Sequence, residues 1–282
     1  MKIKLKSFVD IITDQNRRDL TINSMSMTFD GDLIDPYNGA ADLRNKIVRF
    51  VGNPEIRIKE DALRILRFLR FHGRFSQGKP LNNEAMKAII RNAEGLKGIS
   101  RERVWMEMAK IVTGNDAKYL VRNIYDMHLA EMIGLPNGDV NRLQRHTKNP
   151  VTLMTSMLGA EIEGLTQEWK WSAEERDLAL FLSKFINKTT DFFYTDTNYK
   201  RLVAHDGFSK EWVSELALMH NNKVFATSVR DWEVPTFPVK GVDLIKAGIK
   251  PGPQMGEKLR EMKKAWADSF YSRTKDSLMK MI

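Results

Sequence analysis

The sequence predicts a mainly α-helical protein with a small β-containing piece at its start. Three observations carry this expectation. Apolar residues recur at helical spacing from about Arg57 onward. Capping residues and glycines divide that stretch into segments of helix length. Strand-like alternation with turn dipeptides is confined to the part before it. An all-α protein carrying one hairpin is another version of the same picture.

Taken in order, Ser26-Met-Thr-Phe-Asp-Gly-Asp-Leu-Ile-Asp35 reads as a hairpin, because two short strand-like runs flank Asp30-Gly31. Asp35-Pro-Tyr-Asn-Gly39 is a turn cluster. Lys46 to Val51 alternates like a half-buried strand and stops at Gly52-Asn-Pro54. Arg57 to about Phe75 is expected to be one helix, and Asn83 to Leu96 another. Ser100 sits at an N-cap before Arg101 to Thr113, with Gly114 at the C-cap. A helix is expected from Asn115 to about Ile133, ending at Gly134. Ser172-Ala-Glu-Glu175 is a capping box. Ser209 to His220 and Met255 to Ser269 complete the helical set, while Thr189 to Thr197 and Trp232 to Pro238 read as loops.

With 282 residues, the chain can bury a sizeable core in more than one packing unit. It has no cysteine, which excludes disulfides and Cys-based zinc sites and fits a reducing, cytoplasmic setting. No apolar run is long enough for a spanning helix, and the basic N-terminus lacks the apolar stretch of a signal peptide, so no membrane role is expected. The net charge of +9 makes the chain a candidate for binding a polyanion, although a basic protein without such a partner has the same composition.

The segment Glu60 to Arg74 is the most informative. At helical spacing, Ala62, Ile65, Leu66 and Leu69 form one stripe for a core. Glu60, Arg64, Arg67, Arg70 and Arg74 gather opposite, with Asp61 at the edge of that group. Several arginines on one face repel each other unless an anion sits among them, and a triphosphate suits their fork-like donors. An Asp–Arg pair can also present an acceptor edge beside a donor edge to a nucleobase. The same residues fit a solvated face with Glu60–Arg64 and Asp61–Arg64 surface pairs. Arg17-Arg18-Asp19-Leu-Thr-Ile-Asn23 is a second constellation, able to hold a phosphate and a ribose hydroxyl or to serve as a charged helix entry.

In combination these segments are more specific. Arg-Arg-Asp-Leu-Thr-Ile-Asn, then Ile-Asp-Pro-Tyr-Asn-Gly with Asp42-Leu43, then Glu-Asp-x-x-Arg-x-x-Arg-x-x-Arg-Phe resembles the class II tRNA nucleotidyltransferase (CCA-adding enzyme) and bacterial poly(A) polymerase family, in its bacterial CCA-adding branch. Ile99 to Glu107 resembles the next motif, and Pro238 to Gly248 with Gly256 to Arg260 resembles the C-terminal end. The resemblance implies a small β-containing remnant of the nucleotidyltransferase head followed by a helical neck, body and tail. It implies that Arg18 contacts the incoming nucleotide, with Asp19 and Asn23 near the ribose. Asp61 and Arg64 would pair with the base edge of CTP or ATP, and Arg67 and Arg70 would hold the triphosphate. Arg17, Asp35, Glu60, Arg101 and Arg103 would support the site.

Chemistry of this kind uses two Mg2+ ions and carboxylates to hold them. In the family these form an Asp-x-Asp pair downstream of a Gly-rich strand-turn, both ahead of the Arg-Arg-Asp segment. The sixteen residues before Arg17 contain Asp10 and Asp14 but no glycine, and they do not match. Asp30-Gly-Asp32 fits the hairpin turn instead. No catalytic or metal-binding residue is therefore expected on this chain, and a second polypeptide carrying the Gly-rich and Asp-x-Asp segment is the expected partner besides tRNA. Some relatives carry a phosphohydrolase domain with a His-Asp pair. Ser183 and Lys184 fall at that place, so no such activity is expected. His205-Asp206 has no matching partners, and His128 and His146 read as surface or packing residues. Trp105, Trp169, Trp171 and Trp232 are expected in the core.

The turn Gly248 to Pro253 leads into a basic helix. Lys250, Lys258, Arg260, Lys263 and Lys264 could meet tRNA backbone there, or form a solvated face. The expected divisions are residues 1–56 for the partial head, 57–134 for the neck and 135–282 for the body and tail. The expected function is one half of an enzyme that adds CMP and AMP to the tRNA 3′ end, inactive alone. The competing readings are half of a poly(A) polymerase and a non-catalytic RNA-binding remnant.

Overall fold

The computed structural model describes residues 8–143, 146–186 and 195–282. These form two compact units, residues 1–183 and 184–282. Of the loop expected over Thr189–Thr197, residues 189–194 lie outside the described residues, and Asp196 and Thr197 open a helix instead.

In the first unit, α1 (Phe8–Asn16) and the short α2 (Thr21–Ser24) precede an antiparallel hairpin of β1 (Ser26–Met27) and β2 (Leu33–Ile34). Its register pairs Ser26 with Ile34 and Met27 with Leu33. Gly31 takes φ 93° in the turn, a conformation that favours glycine, as the Asp-Gly pair implied. The Asp35–Gly39 cluster has a structural use. The Asp35 carboxylate accepts hydrogen bonds from the backbone N–H groups of Gly39 and Ala40 at 2.7 and 2.8 Å, opening α3 (Gly39–Arg44). Gly39 is required because a Cβ there would stand 2.2 Å from the Thr21 carbonyl oxygen.

The expected strand Lys46–Val51 is reduced to one bridge between Leu20 and Phe50. Val48, Phe50 and Val51 are buried, so the apolar pattern reports burial. Only two backbone hydrogen bonds, Thr21 N to Arg49 O and Val51 N to Asp19 O, tie the segment to its neighbour.

The single helix expected over Arg57–Phe75 is two. Asn53 caps α4 (Pro54–Glu60), and α5 (Arg64–Phe75) begins after a break at Asp61, whose backbone is extended at φ −157°, ψ 104°. The stripe prediction holds: Ala62, Ile65, Leu66 and Leu69 are buried, and Phe68 with them. Each large apolar side chain so buried contributes roughly 1.5–3 kcal/mol. Phe68 stacks on Phe50 with ring centroids 5.1 Å apart.

Next, α6 (Asn83–Asn92) tightens into a 3-10 turn at Ala93–Gly98, where a continuous helix was expected. α7 (Arg101–Val112) follows Ser100, which sits at the N-cap without a side-chain bond. The helix expected over Asn115–Ile133 is also two, α8 (Ala117–Asp126) and α9 (Leu129–Ile133). His128 breaks it with a left-handed backbone, φ 56°, and Gly134 ends α9 at φ 69°. α10 (Pro150–Leu158), α11 (Ile162–Glu168) and α12 (Ala173–Ser183) close the unit. Both halves of the capping box are formed. Ser172 N donates to Glu175 Oε2 at 2.9 Å, and Glu175 N donates to Ser172 Oγ at 3.3 Å. Trp105, Trp169 and Trp171 are core residues, with Trp105 stacked on Trp171 at 4.3 Å.

The second unit holds α13 (Asp196–Ala204), α14 (Lys210–Met219), α15 (Lys223–Asp231), α16 (Gly241–Lys246), α17 (Pro253–Asp268) and α18 (Lys275–Met279). Val239, Leu244, Met262, Trp266 and Leu278 form one of its cores. Trp232 is only half-buried, resting against Tyr271 at 5.1 Å in the expected loop.

A candidate nucleotide-binding cleft

A cleft of about 570 Å³ in the first unit is lined by Asp14, Arg17, Arg18, Asp19, Asn23, Asp61, Leu63, Arg64, Arg67, Phe71 and Arg103. Three stretches distant in sequence build it: the end of α1 with the loop and α2 after it, the break between α4 and α5 with the first turns of α5, and the start of α7. Five arginines face three aspartates, so the lining favours an anion.

The arginines are held in place. Arg17 and Arg18 both donate to the Asp14 carboxylate. Arg18 Nη1 also donates to the Asn23 carbonyl at 2.9 Å. Arg64 donates to Glu60 Oε2 and, at 2.8 Å, to the Arg17 carbonyl, so it ties the start of α5 to the end of α1. Arg67 Nε donates to Asp19 Oδ2 at 2.6 Å, and Asn23 Nδ2 donates to Asp19 Oδ1 at 3.2 Å. Burial raises the Asp19 carboxyl pKa, but the Arg67 contact and the other bonds outweigh it and leave it below the usual carboxylate value. The bonds from Arg18 and then Arg17 hold Asp14 low as well.

The break at Asp61 changes the expected helix-face geometry. Asp61 is not paired with Arg64. Its Oδ1 accepts from Leu63 N at 3.1 Å, closing the turn just before α5, and its Oδ2 accepts from Arg103 Nη2 at 2.8 Å. Arg103 thus enters the cleft wall as the direct partner of Asp61. An acceptor and a donor do stand side by side here, but they come from two elements rather than from one helix face.

Other residues singled out in the sequence lie outside this lining. Arg70 pairs with the buried Glu107 at 3.2 Å and lies over the Phe71 ring, 4.4 Å from its centroid. Burial pushes its guanidinium pKa down. Arg101 pairs with Glu168 at 3.3 Å and donates to the Met132 carbonyl at 3.2 Å. Glu60 braces Arg57 and Arg64, and Asp35 caps α3. Arg74 is exposed, over the Phe75 ring. Sequence reasoning missed three lining residues. Asp14 had a legible signal, its spacing of three and four to Arg17 and Arg18. Phe71, four residues after Arg67, and Leu63 had none beyond proximity to the arginine face.

In the second unit, Lys258, Arg260 and Lys264 border a cleft with His205, Gln254, Glu257 and Glu261. Lys250 and Lys263 do not line it, and Lys258 pairs with Glu261 at 2.9 Å, so its charge is mixed. His205 Nδ1 lies 2.6 Å from Asp206 Oδ1. Ser183 Oγ donates to Glu163 in the first unit. His128 is exposed near Glu131, while half-buried His146 borders another cleft beside Asn115 and Lys148.

Among the described residues, no group of three or more His, Asp or Glu is arranged to hold a metal ion. Asp14 is committed to two arginines, and Asp30 and Asp32 stand exposed on the hairpin turn. No helix among the described residues is long and apolar enough to cross a membrane.

Two sequence families match the chain. "Poly A polymerase head domain" covers residues 2–49, and "Probable RNA and SrmB-binding site of polymerase A" covers residues 80–137. The chain is 39% identical over 285 residues to the mitochondrial CCA tRNA nucleotidyltransferase 1 of Mus musculus, which spans 95% of the chain and 66% of that protein. It is 29% identical over 273 residues to a CCA-adding enzyme of Lacticaseibacillus paracasei, across 88% of the chain and 65% of the relative. The chain therefore spans just under two thirds of the length of these relatives. The fold matches that of the Bacillus stearothermophilus CCA-adding enzyme solved with CTP, at a TM-score of 0.73 and 23% identity, covering 94% of this chain and 71% of that one.

Proposed function

Because the chain belongs to the family of CCA-adding tRNA nucleotidyltransferases and poly(A) polymerases, we propose that its cleft selects and grips the nucleoside triphosphate joined to a tRNA 3′ end. CTP supplies CMP and ATP supplies AMP. The observation that carries this reading is the convergence of five arginines with Asp19, Asn23 and Asp61 in one cleft. The relatives' names, CCA tRNA nucleotidyltransferase and CCA-adding enzyme, support it.

On this reading Arg17, Arg18 and Arg67 meet the phosphates, and Arg70 acts from behind Phe71. Asp19 and Asn23 stand by the ribose. Asp61 accepts from the base edge, with Arg64 and Arg103 offering donors beside it. Charge-assisted bonds to a rigidly held guanidinium suit both tasks. Residues 1–56 act as part of the head, 57–134 as the neck and 135–282 as the body and tail. Lys250, Lys258, Arg260, Lys263 and Lys264 meet the tRNA backbone on the same reading. The setting is the cytoplasm expected from the sequence, or the mitochondrion named for the vertebrate relative.

Mg2+ would neutralise charge at the reacting phosphate in chemistry of this class. The carboxylates described here do not fit it, since those near the cleft are paired with arginines. We read the metal-holding carboxylates as supplied from outside these residues; a second polypeptide with a Gly-rich strand-turn and an Asp-x-Asp pair would supply them in trans. The chain then contributes binding and selection and is inactive alone.

The test is extension of a tRNA lacking its 3′ CCA. The chain with CTP, ATP and magnesium should add nothing, and addition of the second polypeptide should restore C and A incorporation. Extension by the chain alone overturns the split arrangement. Incorporation of A alone in the reconstituted system favours the poly(A) reading. Salt-sensitive tRNA binding without incorporation under any pairing favours a non-catalytic RNA-binding role.

A further inference from the structure

We infer that Asp14 is a positioning residue for the nucleotide's phosphates, acting through Arg17 and Arg18; the inference rests on the nucleotide reading of the cleft. Asp14 lies in the last turn of α1, three and four residues before the two arginines. Its two carboxylate oxygens are divided between them. Oδ1 accepts from Nε and Nη2 of Arg17, and Oδ2 accepts from Nε and Nη2 of Arg18, at 3.2 and 2.8 Å in the second case.

Each guanidinium is therefore gripped along its Nε–Nη2 edge. For Arg18 the remaining nitrogen, Nη1, is also tied, to the Asn23 carbonyl. Two long cationic side chains that would otherwise repel each other are thus fixed side by side at the mouth of the cleft. The Arg17 side chain is 75% exposed, so little else restrains it. A carboxylate beside a site for an anion opposes binding through its charge. Its presence there makes sense if ordering the guanidinium groups gains more than the repulsion loses, since immobilising flexible side chains in advance removes that cost from binding.

The two possible roles give effects of opposite sign. If Asp14 only offsets charge, Asp14→Asn makes the lining more positive and CTP binds more tightly. If it positions the arginines, CTP binds more weakly despite the added positive charge. The experiment titrates the full chain with CTP and with inorganic triphosphate by calorimetry, for the unaltered protein, Asp14→Asn and Asp14→Glu. The expected result is about a tenfold weaker CTP affinity in Asp14→Asn, a factor equal to about 1.4 kcal/mol. Partial recovery is expected in Asp14→Glu, with unchanged thermal unfolding in both. Unchanged or tighter CTP binding in Asp14→Asn overturns the positioning role while leaving the cleft's nucleotide reading intact. Absence of CTP binding by the unaltered chain overturns that reading and this assignment with it. If Asp14→Asn unfolds early, the Asp14→Glu comparison decides, since a purely structural role predicts no change in affinity at full folding.

Discussion

Arg67 Nε and Asp19 Oδ2 lie 2.6 Å apart, forty-eight positions apart in sequence, and this contact fastens the loop after α1 to the first turn of α5. Asp19 is nearly fully buried, whereas a third of the Arg67 side chain is exposed. Asp19→Asn should therefore cost roughly 1–3 kcal/mol at neutral pH, less than breaking a fully buried pair. Because the folded pKa lies below the unfolded value of about 3.9, this stabilisation is present above that pH and is lost as pH falls through the folded value. Urea unfolding at pH 7 and pH 3 should show a smaller acid loss in Asp19→Asn than in the unaltered chain. An equal loss would refute the linkage.

Nucleotide choice should depend on the Asp61–Arg103 pair. Arg103 is half exposed, so Arg103→Ala should change stability by less than about 1 kcal/mol. Without Arg103 the Asp61 carboxylate loses a donor that sets its direction. In the reconstituted enzyme, Asp61→Ala and Arg103→Ala should each alter the ratio of CTP to ATP incorporation. An unchanged ratio for Asp61→Ala would remove Asp61 from base selection.

His72 supplies a pH dependence of opposite origin. It is buried in α5, its Nε2 is 2.8 Å from the Lys79 carbonyl, and burial lowers its pKa more than that bond raises it. Its folded pKa is thus below the unfolded value of about 6.5, and stability declines as pH drops below that value until the folded pKa is passed. Urea midpoints at pH 7, 6 and 5 should fall less steeply for His72→Gln, whatever its starting stability. Parallel slopes would contradict the assignment.

Gly39→Ala should destabilise the first unit by roughly 1–3 kcal/mol, because its methyl group would meet a backbone carbonyl that cannot move aside as a side-chain end can. Thermal unfolding measures this, and an unchanged midpoint would show that α3 shifts freely relative to Thr21.

Much of this was readable in the sequence wherever the signal was local. Asp30-Gly31 produced the hairpin, Ser172 and Glu175 formed their capping box, and Ile65, Leu66 and Leu69 are the buried face of α5, with Ala62 buried just before it. The breaks were not readable. Apolar periodicity runs through Asp61 and His128 without interruption, and the chain turns there because tertiary contacts favour it. At Asp61 the turn bond to Leu63 N and the Arg103 ion pair accompany an extended backbone. Lys46–Val51 alternates correctly but meets only the short run around Leu20, so a ladder does not develop. Asn53-Pro54 and Asn149-Pro150 both carry start signals, for α4 and α10, although the first reads in the sequence only as a strand end and the second is absent from the expected helix starts. For the cleft, residue types were legible while partners were not. Arg70 and Arg101 look equivalent to Arg67 and Arg103 in sequence, yet Glu107 and Glu168 draw them away from the lining.

The cleft formed by α1, the α4–α5 break and α7 is proposed to hold a nucleoside triphosphate. Titrating CTP and ATP into the chain while following the arginine Nε–Hε signals by NMR tests it most directly. Saturable shifts are expected at Arg18, Arg64, Arg67 and Arg103, with Arg101 and Arg260 unmoved. Absence of saturable shifts, or shifts confined to residues 184–282, would contradict it.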